Sequence, residues 1–153
     1  AFEAQKRTYF QLCGNLFINE ITNVTPINAG VTAADKTHKD KTLYVVSEDG
    51  GGSSFVKPVG QKILSEERVP MTAIDHKQYG GRVKLIKLDI EGYELDALKG
   101  AEMTIREFKP VVLFESNAGA EQQRNEIFSF LRKYDYQVGR VEQFDNMFIA
   151  VAD

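Results

Sequence analysis

In the segment LIKLDIEGYELDALKGAE three carboxylates crowd one glycine: Asp89, Glu91 and Glu94 surround Gly92. Acids so placed can hold a hydroxyl, take its proton, or bind a cation. Proton transfer asks the most of them. A carboxylate near its ordinary pKa of about 4 is a weak base unless burial or a neighbouring acid raises it, and three acids close together raise at least one. A divalent cation is conceivable at such a cluster, but the chain offers no clear further ligands, so no metal site is predicted. The plain alternative is helix capping, where each acid at a helix amino terminus gains only about 0.3–1 kcal/mol from the dipole. Glu94 fits that alternative best.

Other residues have the right chemistry in less telling surroundings. Glu115 ends an apolar run and is followed by Ser116 and Asn117, a group that reads either as part of a pocket or as a simple polar strand end. His76 follows Asp75, and a lone histidine is the usual proton carrier near neutral pH. His38 lies in DKTHKDK and reads as solvated. Gly50–Ser54 reads as a flexible hairpin tip or as a flap over a site.

The elements that must position these groups follow from apolar spacing. Val83–Asp89 is a buried strand that delivers Asp89 at its tip, and Tyr93–Phe108 is a helix with Leu95, Leu98, Ala101, Ile105 and Phe108 inward. Pro110 stops it and pushes Lys109 toward an extended shape. Val111–Phe114 is a second buried strand. Ala120–Tyr134 is a helix with Ile127, Phe128, Leu131 and Tyr134 inward, and Tyr136–Glu142 and Met147–Val151 form a closing hairpin that adds an antiparallel strand at one edge. Upstream, residues 4–20 read as a helix with Tyr9, Leu12, Cys13, Leu16 and Phe17 on one face, and Asn23–Val31 as a strand. Thr42–Ser47 and Arg68–Ile74 suggest an antiparallel excursion at about 42–74, and Asp75–Gly81 a short helical or turn segment. Helices alternating with apolar strands imply an α/β fold with a mostly parallel sheet.

With 153 residues, 42% hydrophobic and 27% charged, the chain fits one domain, 1–153, around a single core. A net charge of −3 gives no electrostatic case for nucleic acid or an anionic membrane. No apolar run approaches the ~20 residues of a membrane span. The lone Cys13 excludes an internal disulfide and reads as a buried structural thiol, in keeping with a reducing cytoplasm.

The segments LIKLDIEGYELDALKGAE, KPVVLFES and FEAQKRTYFQLCGNLFINEITNVTPINAGV resemble the FkbM family of S-adenosylmethionine-dependent methyltransferases. The resemblance runs nearly end to end and is weakest over 35–80. It implies a Rossmann-like methyltransferase fold: a mostly parallel sheet with an antiparallel last strand. The family's first strand and its glycine loop, of the kind D-x-G-A-N-x-G, have no counterpart here, so the amino-terminal strand-helix unit is expected to be missing. Ala1–Glu3 then reads as the end of the second strand. The sheet edges left open would invite pairing with other chains, including copies of this one.

The resemblance also implies roles. Glu3 would bind the ribose hydroxyls of S-adenosylmethionine, against the plain reading of a solvated terminal acid. Ala29, Gly30 and Val31 would let the adenine ring approach the backbone; Gly30 reads equally as a turn residue needing positive φ. Asp89 would face the methyl donor, orienting the acceptor hydroxyl or the cofactor's amine. Glu91 would be the general base, with Glu115 and His76 lining the acceptor side. The acceptor would be a small molecule or glycan hydroxyl on a sugar, glycolipid or secondary metabolite. The alternative is a methyltransferase-like domain used for binding or assembly without catalysis.

Overall fold

A computed structural model describes residues 1–47, 51–117, 119–144 and 146–153, so Gly50 of the expected flap lies outside the described residues. The chain forms two compact units: Ala1–Val31 with Asp35–Thr72, and Thr32–Ala34 with Ala73–Asp153.

In the first unit, β1 (Phe2–Glu3) leads into α1 (Lys6–Ile18) and pairs in parallel with β2 (Ile27–Asn28). The single strand expected over Asn23–Val31 is broken. The amide of Ala29 bonds back to the carbonyl of Ile27 at 3.1 Å, bending the chain, and β3 (Gly30–Val31) takes a different partner. β4 (Lys41–Val45) pairs antiparallel with β5 (Ser65–Val69), Lys41 opposite Val69. β5 starts earlier than Arg68 and ends before Pro70, which has no N–H for a ladder. β6 (Met71–Thr72) then pairs in parallel with β3. Leu43, Val45 and Val69 form a buried cluster with Ala4 and Phe55 against it.

α1 forms where its periodicity predicts, yet buries no residue: Cys13 is half-buried rather than enclosed, and Phe17 is 84% exposed. A helix of 13 residues is roughly 20 Å long, whereas the two-residue strands at its start span only about 7 Å each. The strands are too short to cover its far end.

The second unit holds a four-stranded sheet. β7 (Leu85–Leu88) pairs in parallel with β8 (Val111–Glu115). β9 (Tyr136–Arg140) and β10 (Met147–Ala152) follow, in the order β7-β8-β10-β9. The last strand is antiparallel to both neighbours, but it lies between them and not at the edge. Composition accounts for this: MFIAVA suits an interior position, with Ala150 fully buried, while YQVGR puts polar side chains at the edge. Taken over both units, the described ladders are a mixture of parallel and antiparallel pairs in four small sheets.

The expected helix Tyr93–Phe108 is two helices, α2 (Glu94–Lys99) and α3 (Glu102–Phe108). Gly100 sits so close to the main chain of Thr32 that a Cβ would come within 2.0 Å of its carbonyl oxygen. The Gly100 carbonyl accepts the Asp75 amide at 2.8 Å, and the Asp75 carboxylate caps α3 by accepting the amides of Met103 and Thr104 at 2.8 and 2.9 Å. Lys109 is left-handed (φ 48°, ψ 52°) and not extended. Its amide closes α3 on the Ile105 carbonyl, and its ammonium group reaches the Tyr134 carbonyl and Asp135. α4 (Glu121–Arg132) buries Ile127 and Leu131. Phe114 stacks on Phe148 at 5.6 Å, and Phe128 meets Phe148 edge-on at 5.4 Å.

Candidate functional site

Along β7, Ile86 and Leu88 are buried while Lys87 and Leu85 face out, and the exposed Asp89 follows at its tip. The chain then reverses sharply. Glu91 and Gly92 both take positive φ, 52° and 94°, the first an unusual state for a residue with a Cβ. Glu94, only 4% exposed, turns its carboxylate back on this turn: Oε1 accepts the amides of Ile90 at 3.1 Å and Gly92 at 3.3 Å. Burial pushes the Glu94 carboxyl up, against the pull of these main-chain donors. From α4, the amide group of Gln123 donates to the Gly92 carbonyl at 2.6 Å.

The parallel register sets Leu88 beside Phe114, and so brings Asp89 and Glu115 to the same end of adjacent strands. The two carboxyl groups titrate apart. Hydrogen bonding with Asp89, partial burial and the charges of Asp89, Glu91 and Glu94 push the Glu115 pKa up to about 7. Asp89 goes the other way, lowered first by the bond from Glu115 and then by Lys87, whose ammonium lies 3.0 Å away. Asn146, from the turn between β9 and β10, donates its side-chain amide to Glu115 Oε1 and also to Asn117 at 3.3 Å.

Of the residues expected at a site, Asp89, Glu91, Glu94 and Glu115 therefore gather in the second unit. Ser116 is buried beside them in sequence, and His76 is exposed on the 3-10 turn Ile74–His76. No local pattern in the sequence singles out Lys87, Asn146 or Gln123. Lys87 lies two residues from Asp89 on a strand; Asn146 and Gln123 depend on chain reversals. No group of three His, Cys, Asp or Glu among the described residues is arranged to hold a metal ion.

Glu3, Ala29, Gly30 and Val31 belong to the first unit. Register places Glu3 opposite Asn28, next to Ala29. Glu3 Oε1 accepts the Gln5 amide at 2.7 Å, and Asn28 donates its side-chain amide to the Glu3 carbonyl at 2.9 Å. Gly30 is not among the positive-φ residues, so the turn reading fails. A Cβ there would meet Phe55 and Met71 side chains at 2.6–2.8 Å, so its missing side chain makes room for their packing. Glu3 is half-buried, and each oxygen of its carboxylate can accept two hydrogen bonds.

The family model described as the methyltransferase FkbM domain matches residues 1–138. Among solved structures, the crystal structure of methyltransferase FkbM from Methylobacillus flagellatus KT is similar, with a TM-score of 0.64 and 22% identity. The match covers 97% of this chain and 35% of that one, so the chain spans about a third of that protein's length and shares its fold over that part. No curated protein matches the chain. No helix among the described residues is long and apolar enough to cross a membrane.

Proposed function

This chain belongs to the FkbM methyltransferase family, and from that premise we propose that it carries acceptor-side acids and a ribose-binding acid of an S-adenosylmethionine-dependent O-methyltransferase with a Rossmann-like fold. The acceptor is a hydroxyl of a sugar, glycolipid or secondary metabolite. The cytoplasm is the proposed location, in keeping with the lone thiol of Cys13.

The observation that carries the reading is the Asp89–Glu115 pair, two acids brought by register to the same end of adjacent strands, with Glu115 pushed up to about 7. A base works best with a pKa near the ambient pH. S-adenosylmethionine supplies a methyl carbon bound to positively charged sulfur. In this reading the ionised Asp89 orients the acceptor hydroxyl. Glu115, once it has released its own proton, receives the hydroxyl proton as the oxygen–methyl bond forms. Glu91, the base expected from the resemblance, sits in the left-handed turn past the strand and in this reading cedes that role to Glu115, adding negative charge beside the pair, while His76 lines the acceptor cleft. In the first unit, Glu3 accepts hydrogen bonds from the ribose hydroxyls, and Ala29–Val31 lies along the adenine. Alignment of oxygen and methyl is the larger part of the work, and proton removal the smaller.

Calorimetry with S-adenosylhomocysteine tests this in the full-length gene product carrying these residues. We expect binding, weakened at least ~10-fold by Glu3→Ala through loss of hydrogen bonds to a charged group. No binding by the unsubstituted protein overturns the reading.

A further inference from the structure

The turn between β7 and α2 is held by two side chains that belong to neither partner of the Asp89–Glu115 pair. The left-handed region is costly for a residue with a Cβ, so Glu91 keeps φ 52° only because its surroundings impose it. What imposes it is visible on both sides. Glu94 Oε1 accepts the Ile90 and Gly92 amides, flanking Glu91, while Gln123 Nε2 donates to the Gly92 carbonyl. Both bonds from Glu94 run backward out of α2 to the turn, which sets them apart from ordinary capping of a helix's own first amides. Glu94 is 4% exposed, so its grip is not diluted by water.

We propose that Glu94 and Gln123 are positioning residues for methyl transfer, clamping the Ile90–Gly92 main chain and through it fixing Asp89 against Glu115. The proposal rests on the methyltransferase reading above. The charge of Glu94 adds to the clamp's effect, since it is one of the charges, with Asp89 and Glu91, that favour the proton on Glu115; Lys87, by keeping Asp89 ionised, works in the same direction.

Three variants of the full-length gene product test this: Glu94→Ala, Glu94→Gln and Gln123→Ala. Amide exchange at Ile90 and Gly92 and the carboxyl titration of Glu115, both by NMR, report on the turn without needing an acceptor. Glu94→Ala should speed exchange at both amides about 10-fold, the value of a hydrogen bond near 1.4 kcal/mol. Glu94→Gln keeps an oxygen at the accepting position. It should restore protection while lowering the Glu115 titration midpoint, because the charge is gone. Gln123→Ala, on a half-buried position of α4, should melt like the unsubstituted protein, loosen the turn and cut transfer of labelled methyl into a cell extract at least ~10-fold, with S-adenosylhomocysteine affinity changed less than ~2-fold. If Glu94→Ala does not fold, Gln123→Ala decides alone. Unchanged exchange in Gln123→Ala, or faster exchange with undiminished turnover, overturns the proposal. Absence of S-adenosylhomocysteine binding in the unsubstituted protein overturns the methyltransferase reading instead, and leaves the exchange data to report on the clamp.

Discussion

A carboxyl group that keeps its proton to near neutrality affects stability as well as chemistry. In an unfolded chain Glu115 titrates at its ordinary 4.5, and in the fold at about 7. Between those values the folded protein holds a proton that the unfolded chain has released. The stability this proton contributes is complete below pH 4.5 and is lost as pH rises through about 7. Asp89, lowered in the fold, acts in the opposite sense: its contribution is present above its ordinary range and is lost on acidification. Scanning calorimetry between pH 5 and pH 8 should therefore find a melting temperature that falls as pH rises, and Glu115→Gln should flatten that slope. An equal slope in the variant would mean that Glu115 titrates normally in the fold. Asp89 and Glu115 were both readable in the sequence as strand-tip acids, because an apolar run ending in an acid is a local pattern. That their strands are neighbours also follows from the expected sheet order; which acid faces which does not, since it is set by the β7–β8 register.

Among the elements, α2 and α3 show where periodicity misleads. Leu98, Ala101 and Ile105 are all buried, as the apolar spacing across Gly100 predicts for one helix. The break comes from Asp75, 25 positions before Gly100, whose amide and carboxylate supply a new helix start. Asp75→Ala should cost about 1–2 kcal/mol, with Asp75→Asn losing less because it keeps an accepting oxygen; chemical denaturation of both checks this. The other departures have the same character. Ala29, Pro70 and Lys109 each redirect the chain through one backbone group, and α1 is left uncovered because β1 and β2 stop after two residues. Apolar spacing reports which face is inward. It carries no information about how long the surface beneath it will be.

For the whole molecule, each unit carries its own share of the proposed residues: Glu3 and Ala29–Val31 lie in the first, Asp89 and Glu115 in the second. If the first unit supplies the ribose and adenine contacts, saturating S-adenosylhomocysteine should slow amide exchange over 1–5 and 27–31, and Glu3→Ala should remove that protection. Protection confined to the second unit would reassign the cofactor contacts. The position of β10 has a consequence for how the protein is made. It is the only link between β8 and β9 in the described sheet, and it is synthesised after both. A nascent chain that has not yet extruded Met147–Ala152 presents two adhesive edges with nothing between them, so the second unit cannot mature during translation until that strand leaves the ribosome.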